Sequence, residues 1–354
     1  MKTKFKVLNT LSLSLLSSMS TACGTESNEL NLNLSPSEVK PTPSVGVSQP
    51  EGSQQSGDSK TQAPALIKVC DSAAIPARKV LNVQYQQLAN VDTNLQSLDI
   101  HFPVVESPCQ GVPVVIWIHG GGWMIGDKSQ VEIKAQHFNS LGYGFVSVNY
   151  RLSPDLRVDT QLNPSRIKFP DHPSDVGAAV AWIHKNIKNY GGNNQQLAIL
   201  GHSAGAHLAA LVSQDQSYIQ KADPNWNPKS LRCLGSYDTE AYNINSFMQT
   251  AIGTPRLIYR NAFGDDPAAW TQASPINFIK EYGMAVQLAK RGESERHAQL
   301  ESFRSALESK QNKVSVIDAQ TLTHEEVNRL IGAAGDTVMT PFVTEFIKQS
   351  CFPN

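Results

Sequence analysis

No run of lysines and arginines long enough to neutralise a nucleic-acid backbone occurs in the 354 residues, and 30 basic against 31 acidic side chains leave a formal net charge of -1. Nucleic acid is therefore not an expected partner. No apolar run reaches the about 20 residues that cross a bilayer as a helix, so a retained membrane span is not expected either. Histidine, cysteine and acidic residues nowhere recur at zinc-binding spacing, and neither a phosphate loop nor a dinucleotide fingerprint is present, so no cofactor and no metal is implied. Charged residues are scarce at 17% while hydrophobic ones make up 40%, which suffices for one sizeable buried core.

The first 23 residues differ in kind. Lys2, Lys4 and Lys6 precede an apolar and small stretch over 7–19 that leads into Ser20-Thr21-Ala22-Cys23, the layout of a signal peptide. A cysteine directly after small residues resembles the lipobox of bacterial lipoproteins, which implies lipidation at Cys23. Ser20 departs from that pattern, since an aliphatic residue usually stands there. The expectation is an exported protein anchored to a membrane on its extracytoplasmic side, touching lipid only through this N-terminal anchor. An ordinary cleaved signal with an incidental Cys23 would leave it periplasmic or secreted. Residues 24–65, rich in Ser, Pro, Gln, Gly and Thr, bury too little to offset ordering entropy and read as a disordered tether. Export makes disulfides chemically possible for Cys70, Cys109, Cys233 and Cys351. Of the three pairings, Cys70 with Cys109 and Cys233 with Cys351 are favoured, four free thiols being the alternative.

From residue 66 to 354, apolar runs rich in β-branched residues alternate with helical patterns, as in a mostly parallel sheet covered by helices. Strands are expected over 80–85, 95–102, 112–119, 144–148, 197–200, 231–236, 285–289 and 314–317, the first two as an antiparallel pair. Helices are expected over 130–141, from a Ser174 cap to about 190, over 206–212, over 296–307 and over 341–349. The proline-bearing stretch 153–173 reads as a loop over the active site. The segment 214–275 reads as cap elements, with Asp265 and Asp266 opening a cap helix.

Two glycine motifs carry the chemistry. The run 197–200 leads straight into Gly201-His202-Ser203-Ala204-Gly205 and a small-residue helix. Gly-x-Ser-x-Gly arises by chance in about one chain in ten of this length, given the usual frequencies of Gly and Ser, so the context decides. Strand, sharp turn and helix form a nucleophile elbow, which exposes a serine at a helix N-terminus. Upstream, His119-Gly120-Gly121-Gly122-Trp123 follows a buried strand, where backbone N–H groups without side-chain cover can approach an oxyanion. Gly121 and Gly122, with Ala204 of the elbow, are the expected donors.

At these residues the chain resembles the esterase/lipase branch of the α/β-hydrolase superfamily that carries the His-Gly-Gly-Gly motif, including hormone-sensitive-lipase-like carboxylesterases and kynurenine formamidase-like enzymes. The resemblance covers about residues 80–350. It rests on His119 to Trp123, Gly126-Asp127-Lys128, Asn149-Tyr150-Arg151-Leu152, Gly191-Gly192 and Gly201 to His207. It implies an α/β-hydrolase fold, with a mostly parallel sheet, helices on both faces and small cap insertions. It also implies a catalytic order of Ser, acid, His.

Beyond Ser203 only His297 and His324 remain as the base. His324 follows the strand at 314–317 on a loop that opens a helix, and is the expected base, while His297 lies within a helix. The family's Gly-x-x-Asp is here Gly292-Glu293-Ser294-Glu295, so Glu295 is the expected acid, with Glu293 and Asp318 as rivals. The implied activity is hydrolysis of small or medium acyl esters through an acyl-enzyme, with a small-molecule ester as partner. An arylformamidase, or an inactive hydrolase fold used for binding, are the alternatives. Trp123, Met124, Tyr150 and Leu152 are candidates to line the acyl or alcohol pocket.

Overall fold

The computed structural model describes residues 74–106 and 110–353, all within the unit Leu66–Asn354. The signal-like segment, Cys23, the tether, Cys70 and Cys109 lie outside the described residues. Eight strands form one sheet: β1 (Arg78–Gln84), β2 (Ser97–Phe102), β3 (Val112–Ile118), β4 (Gly144–Val148), β5 (Gly192–His202), β6 (Leu231–Tyr237), β7 (Ala285–Lys290) and β8 (Lys313–Asp318). Their order across the sheet is β1-β2-β4-β3-β5-β6-β7-β8. The β1/β2 and β2/β4 pairs are antiparallel, and every other pair is parallel.

The central strands are apolar on both faces, and the period of two divides them between two cores. On one side Ile100, Val114, Ile116, Ile118, Val146 and Ile199 pack under helices α2 (Asp171–Asn186) and α3 (Ala204–Gln214). On the other, Val115, Trp117, Phe145, Ala198 and Leu200 pack under α1 (Glu132–Ser140) and the C-terminal helix Met339–Phe346. Each of these side chains is essentially fully buried, and such burial stabilises by roughly 1.5–3 kcal/mol for a Val, Leu or Ile. Cys233 on β6 is joined by a disulfide to Cys351, which closes the C-terminal segment onto the second core.

Four helices begin earlier than their sequence suggests, α3 and the helix Ser294–Ser309 among them, and proline is the reason in the other two. The helix expected from Ser174 starts at Asp171, and the one expected from 341 starts at Met339. Pro173 and Pro341 occupy the third position of the first turn, where an N–H has no acceptor inside the helix and its absence costs nothing. Ser174 does not cap its helix; its hydroxyl donates back to the Pro170 carbonyl at 2.7 Å.

Residues 238–279 form a cap of short helices: α4 (Ile244–Thr250), α5 (Gly253–Phe263) and α6 (Pro267–Gln272). Asp266 caps α6 by accepting from the Ala268 N–H at 2.9 Å. The 153–170 loop is bound to this cap, with Phe169 N–H donating to Ala262 O at 2.7 Å and the Asn261 amide to Pro154 O at 2.8 Å.

Candidate active site

The register of the sheet places the site. Ile118 at the end of β3 stands beside Gly201 of β5, and His202 of β5 stands beside Tyr237 of β6. Whatever follows β5 is therefore flanked by the glycine loop after β3 on one side and by residue 238 on the other. Ser203 is that residue, and it adopts φ 56 and ψ -121 immediately ahead of α3. A left-handed φ at a non-glycine residue is strained, and the turn is held by the Ser203 N–H donating to Tyr237 O at 3.0 Å.

The flanking glycines are required by space. A Cβ at Gly201 would stand 2.4 Å from the Gly205 carbonyl oxygen, and one at Gly205 would stand 2.2 Å from that of Ile118. Both obstacles are backbone, so neither can swing away. Gly205→Ala is expected to lose about 1–3 kcal/mol through overpacking. A urea midpoint equal to that of the parent protein would contradict this close approach.

The glycine loop is a tight turn braced from outside. Met124 and Ile125 N–H groups both donate to Gly121 O at 3.1 Å, and Gly121 and Gly122 have φ of 102 and 59. Among the described residues neither N–H of these two glycines is taken by a backbone carbonyl. Ala204 is the first residue of α3, where the N–H has no intrahelical acceptor. The loop also touches the elbow, since a Cβ on Gly120 would lie 3.1 Å from Ser203 Cβ.

The remaining motif residues are struts for this loop. Tyr150 stacks on the His119 ring with centroids 4.5 Å apart and donates its hydroxyl to His119 O at 3.0 Å. Asn149 donates to the Asp127 carboxylate at 2.8 Å and accepts from the Lys128 N–H at 2.6 Å. Arg151 is paired with Asp175 at 2.7 Å and with Asp171 at 2.9 Å, which fastens the chain to α2. Trp123 packs edge-on against Tyr259 and Phe263 of the cap and donates its indole N–H to His207 Nδ1 at 3.2 Å. His207 in turn donates from Nε2 to Ala273 O at 2.8 Å. Trp123 and Tyr150 are both buried, so these two pocket candidates brace the site rather than line it.

His324 reaches Ser203. Its Nε2 lies 3.0 Å from Ser203 Oγ, and its Nδ1 lies 2.6 Å from Asp238 Oδ2. These partners set the tautomer, with the Nδ1 proton donated to the carboxylate and Nε2 free to accept from the serine hydroxyl. His324 is the first residue of the helix His324–Arg329, whose start is fixed by a capping box of Thr323 and Glu326. His202 donates from Nε2 to the His324 carbonyl at 2.9 Å, which ties the elbow to His324.

The carboxylate on His324 is Asp238, not Glu295, and the expectation for the acid is corrected accordingly. Glu295 lies in the first turn of the helix Ser294–Ser309, two strands away from β5, and accepts from the Thr250 hydroxyl at 2.6 Å. Of its rivals, Glu293 occupies the N-cap position of that same helix, and Asp318 accepts from the Gln320 N–H at 3.2 Å. Asp238 sits at the end of β6, the strand next to the elbow strand. An aspartate just past a predicted strand was the available signal for it. His297 pairs with Gln320 at the surface.

Asp238 is buried, which alone would raise its pKa. The hydrogen bond from His324 and the charges of Arg296 and Arg291 outweigh that and hold the carboxyl well below the ordinary carboxylate range. Burial lowers His119 and His207 to about 4 and His172 to about 3, and pushes His202 well below its usual value as well. Among the described residues, His202, Asp238 and His324 form the cluster whose ligand atoms lie within 4.8 Å of one another. Hydrogen bonds to one another and to Ser203 already engage them.

The BD-FAE family model matches residues 98–299, more than half of the chain. The chain is similar to esterase LipQ of Mycobacterium tuberculosis, 32% identical over 49% of this chain and 40% of LipQ. It thus spans well under two thirds of that relative's length. It is also similar to kynurenine formamidase of Danio rerio, 25% identical over 65% of this chain and 70% of the relative. Among solved structures, a truncated form of a carbohydrate esterase from gut microbiota superposes with a TM-score of 0.59 at 18% identity, over 78% of this chain and 97% of that one. At that identity the likeness is one of fold, and it agrees with the α/β-hydrolase architecture read from the sheet.

Proposed function

The chain belongs to the BD-FAE family, and from that premise we propose that it is a serine hydrolase of carboxylic esters with Ser203 as nucleophile. The observation that carries this reading is the line Ser203 Oγ, His324, Asp238, with contacts of 3.0 and 2.6 Å, set beside a glycine loop at the end of β3. His324 takes the hydroxyl proton as Ser203 attacks the ester carbonyl. The N–H groups of Gly121, Gly122 and Ala204 receive the oxyanion, each such donor contributing about 3 kcal/mol to the transition state. The alcohol leaves with a proton from His324, and water then releases the acid from the acyl-enzyme by the reverse sequence.

The cap over the glycine loop favours small or medium acyl groups. A Cβ at Gly122 would come within ordinary contact of Ile258 and Met124, so apolar side chains close the space beyond that loop. Export with lipidation at Cys23 belongs to the same proposal. It suits acetyl or feruloyl esters on polysaccharide outside the cytoplasm.

The likeness to kynurenine formamidase over 70% of that relative supports a second reading, hydrolysis of an N-formyl amide. Fluorophosphonate labelling, followed by turnover of p-nitrophenyl acetate, butyrate and octanoate beside N-formylkynurenine, tests both. Labelling that disappears in Ser203→Ala and ester turnover favouring short chains are the expected results. Formamide turnover without ester turnover would replace the first reading by the second, and an unlabelled parent protein would overturn both.

A further inference from the structure

The acid of the site is held by more than its histidine. Asp238 is 1% exposed at its side chain and adopts a left-handed φ of 55, and its carboxylate is held by several partners at once. Arg291, at the end of β7, donates from Nε to Asp238 Oδ2, the oxygen that also receives His324 Nδ1. Arg296 donates from Nη2 to Asp238 Oδ1 at 2.8 Å and to its carbonyl at 3.0 Å. Through Nη1 the same guanidinium is paired with Glu240. The Glu240 carboxylate helps to hold the Tyr259 hydroxyl un-ionised, and the Tyr259 ring meets Trp123 of the glycine loop at a centroid distance of 5.2 Å.

We propose that Arg291 and Arg296 are positioning residues of this centre, fixing the Asp238 carboxylate against His324, with Glu240 as the counter-charge that makes two cations tolerable there. The inference rests on the serine hydrolase reading above. Two carboxylates and two guanidiniums sum to zero charge, so the imidazolium formed in the transition state meets a neutral but strongly oriented cluster. Removing either sign therefore has a signed consequence. Without the Arg291 charge the imidazolium is easier to form, and the acid limb of kcat/KM moves to higher pH. Without Glu240 the unbalanced Arg296 makes it harder, and the acid limb moves to lower pH. Among the described residues, His202 of the elbow faces His324 with ring centroids 4.5 Å apart, and Lys134 of α1 acts on His202; both are untouched by these changes.

The test is kcat, KM and the pH profile of kcat/KM for p-nitrophenyl acetate in the full chain, its Ser203→Ala form, Arg291→Gln, Arg291→Lys, Arg296→Gln and Glu240→Gln. The Gln variants of the arginines are expected to lose about 10²-fold in kcat from a misplaced acid, with KM nearly unchanged. Arg291→Lys, which keeps the charge, should leave the acid limb in place. The limb should rise in Arg291→Gln and fall in Glu240→Gln. A merely structural role would lower thermal stability without moving the limb in opposite directions, and that result overturns the proposal. If the arginine variants do not fold, Glu240→Gln decides alone, and a limb that stays or rises refutes it. A parent protein that does not turn over the ester removes the hydrolase reading and this inference with it, whereas turnover with unmoved limbs removes this inference alone.

Discussion

Asp238→Asn should lower kcat on p-nitrophenyl acetate by about 10⁴-fold, the scale seen when a triad acid loses its charge, while Glu295→Gln should stay within about twofold. The asparagine amide can donate to Nδ1, which drives the imidazole proton to Nε2, and Nε2 can then no longer accept from Ser203. Asp238 receives His324 Nδ1 at 2.6 Å, whereas Glu295 is occupied by Thr250 on α4. Asp238→Asn also leaves Arg291 and Arg296 without their shared anion. Circular dichroism at the assay temperature must therefore accompany the rate, because breaking a buried ion pair costs about 3–5 kcal/mol. The opposite ranking of the two variants would return the acid to the helix Ser294–Ser309.

The serine, the glycine loop and the histidine were legible because each is announced locally. A strand running into Gly201-His202-Ser203-Ala204-Gly205 leaves few alternatives, as the 2.4 and 2.2 Å approaches behind the two glycines explain. The acid has no such local signature. Asp238 meets His324 only because β6 lies next to β5 in the sheet and His202 pairs with Tyr237, and strand adjacency is not written in the spacing of one chain. The Gly-x-x-Glu at Gly292 resembles a family signature, yet its glutamate is spent on a cap contact. A large aromatic beside a glycine loop, such as Trp123 or Tyr150, looks alike from sequence whether it faces the pocket or the core, and here both are buried. The early starts at Asp171 and Met339 were hidden by prolines that a first turn accepts.

Stability should fall steeply as the pH drops from about 6.5 toward 4, and the cause is four imidazoles buried without charge. His119, His172, His202 and His207 are all lowered by burial, to about 4, 3 and 4 for the first, second and last. Across this window the unfolded chain, with histidines near 6.5, binds protons that the folded protein refuses. Unfolding is therefore favoured by acid, and the stability supplied by these groups is fully present above about 6.5 and lost on the way down. Asp238 acts in a separate range. Its depressed carboxyl contributes stability above about 4, where an unfolded aspartate ionises, and loses it only below. At pH 5 the linkage amounts to roughly 2 kcal/mol for each of His119, His172 and His207, and three together are comparable with the whole net stability of about 5–15 kcal/mol typical of a folded domain. Urea denaturation from pH 8 to 5 should show a midpoint that is level down to about 7 and then falls, most steeply below about 6. His172→Gln, whose Nε2 partner is the Ser153 hydroxyl at 3.0 Å, should flatten the slope by about one proton. A midpoint independent of pH between 7 and 5 would mean that these rings carry protons in the folded protein, and the hydrogen bonds that fix Trp123 and His324 would then need another assignment.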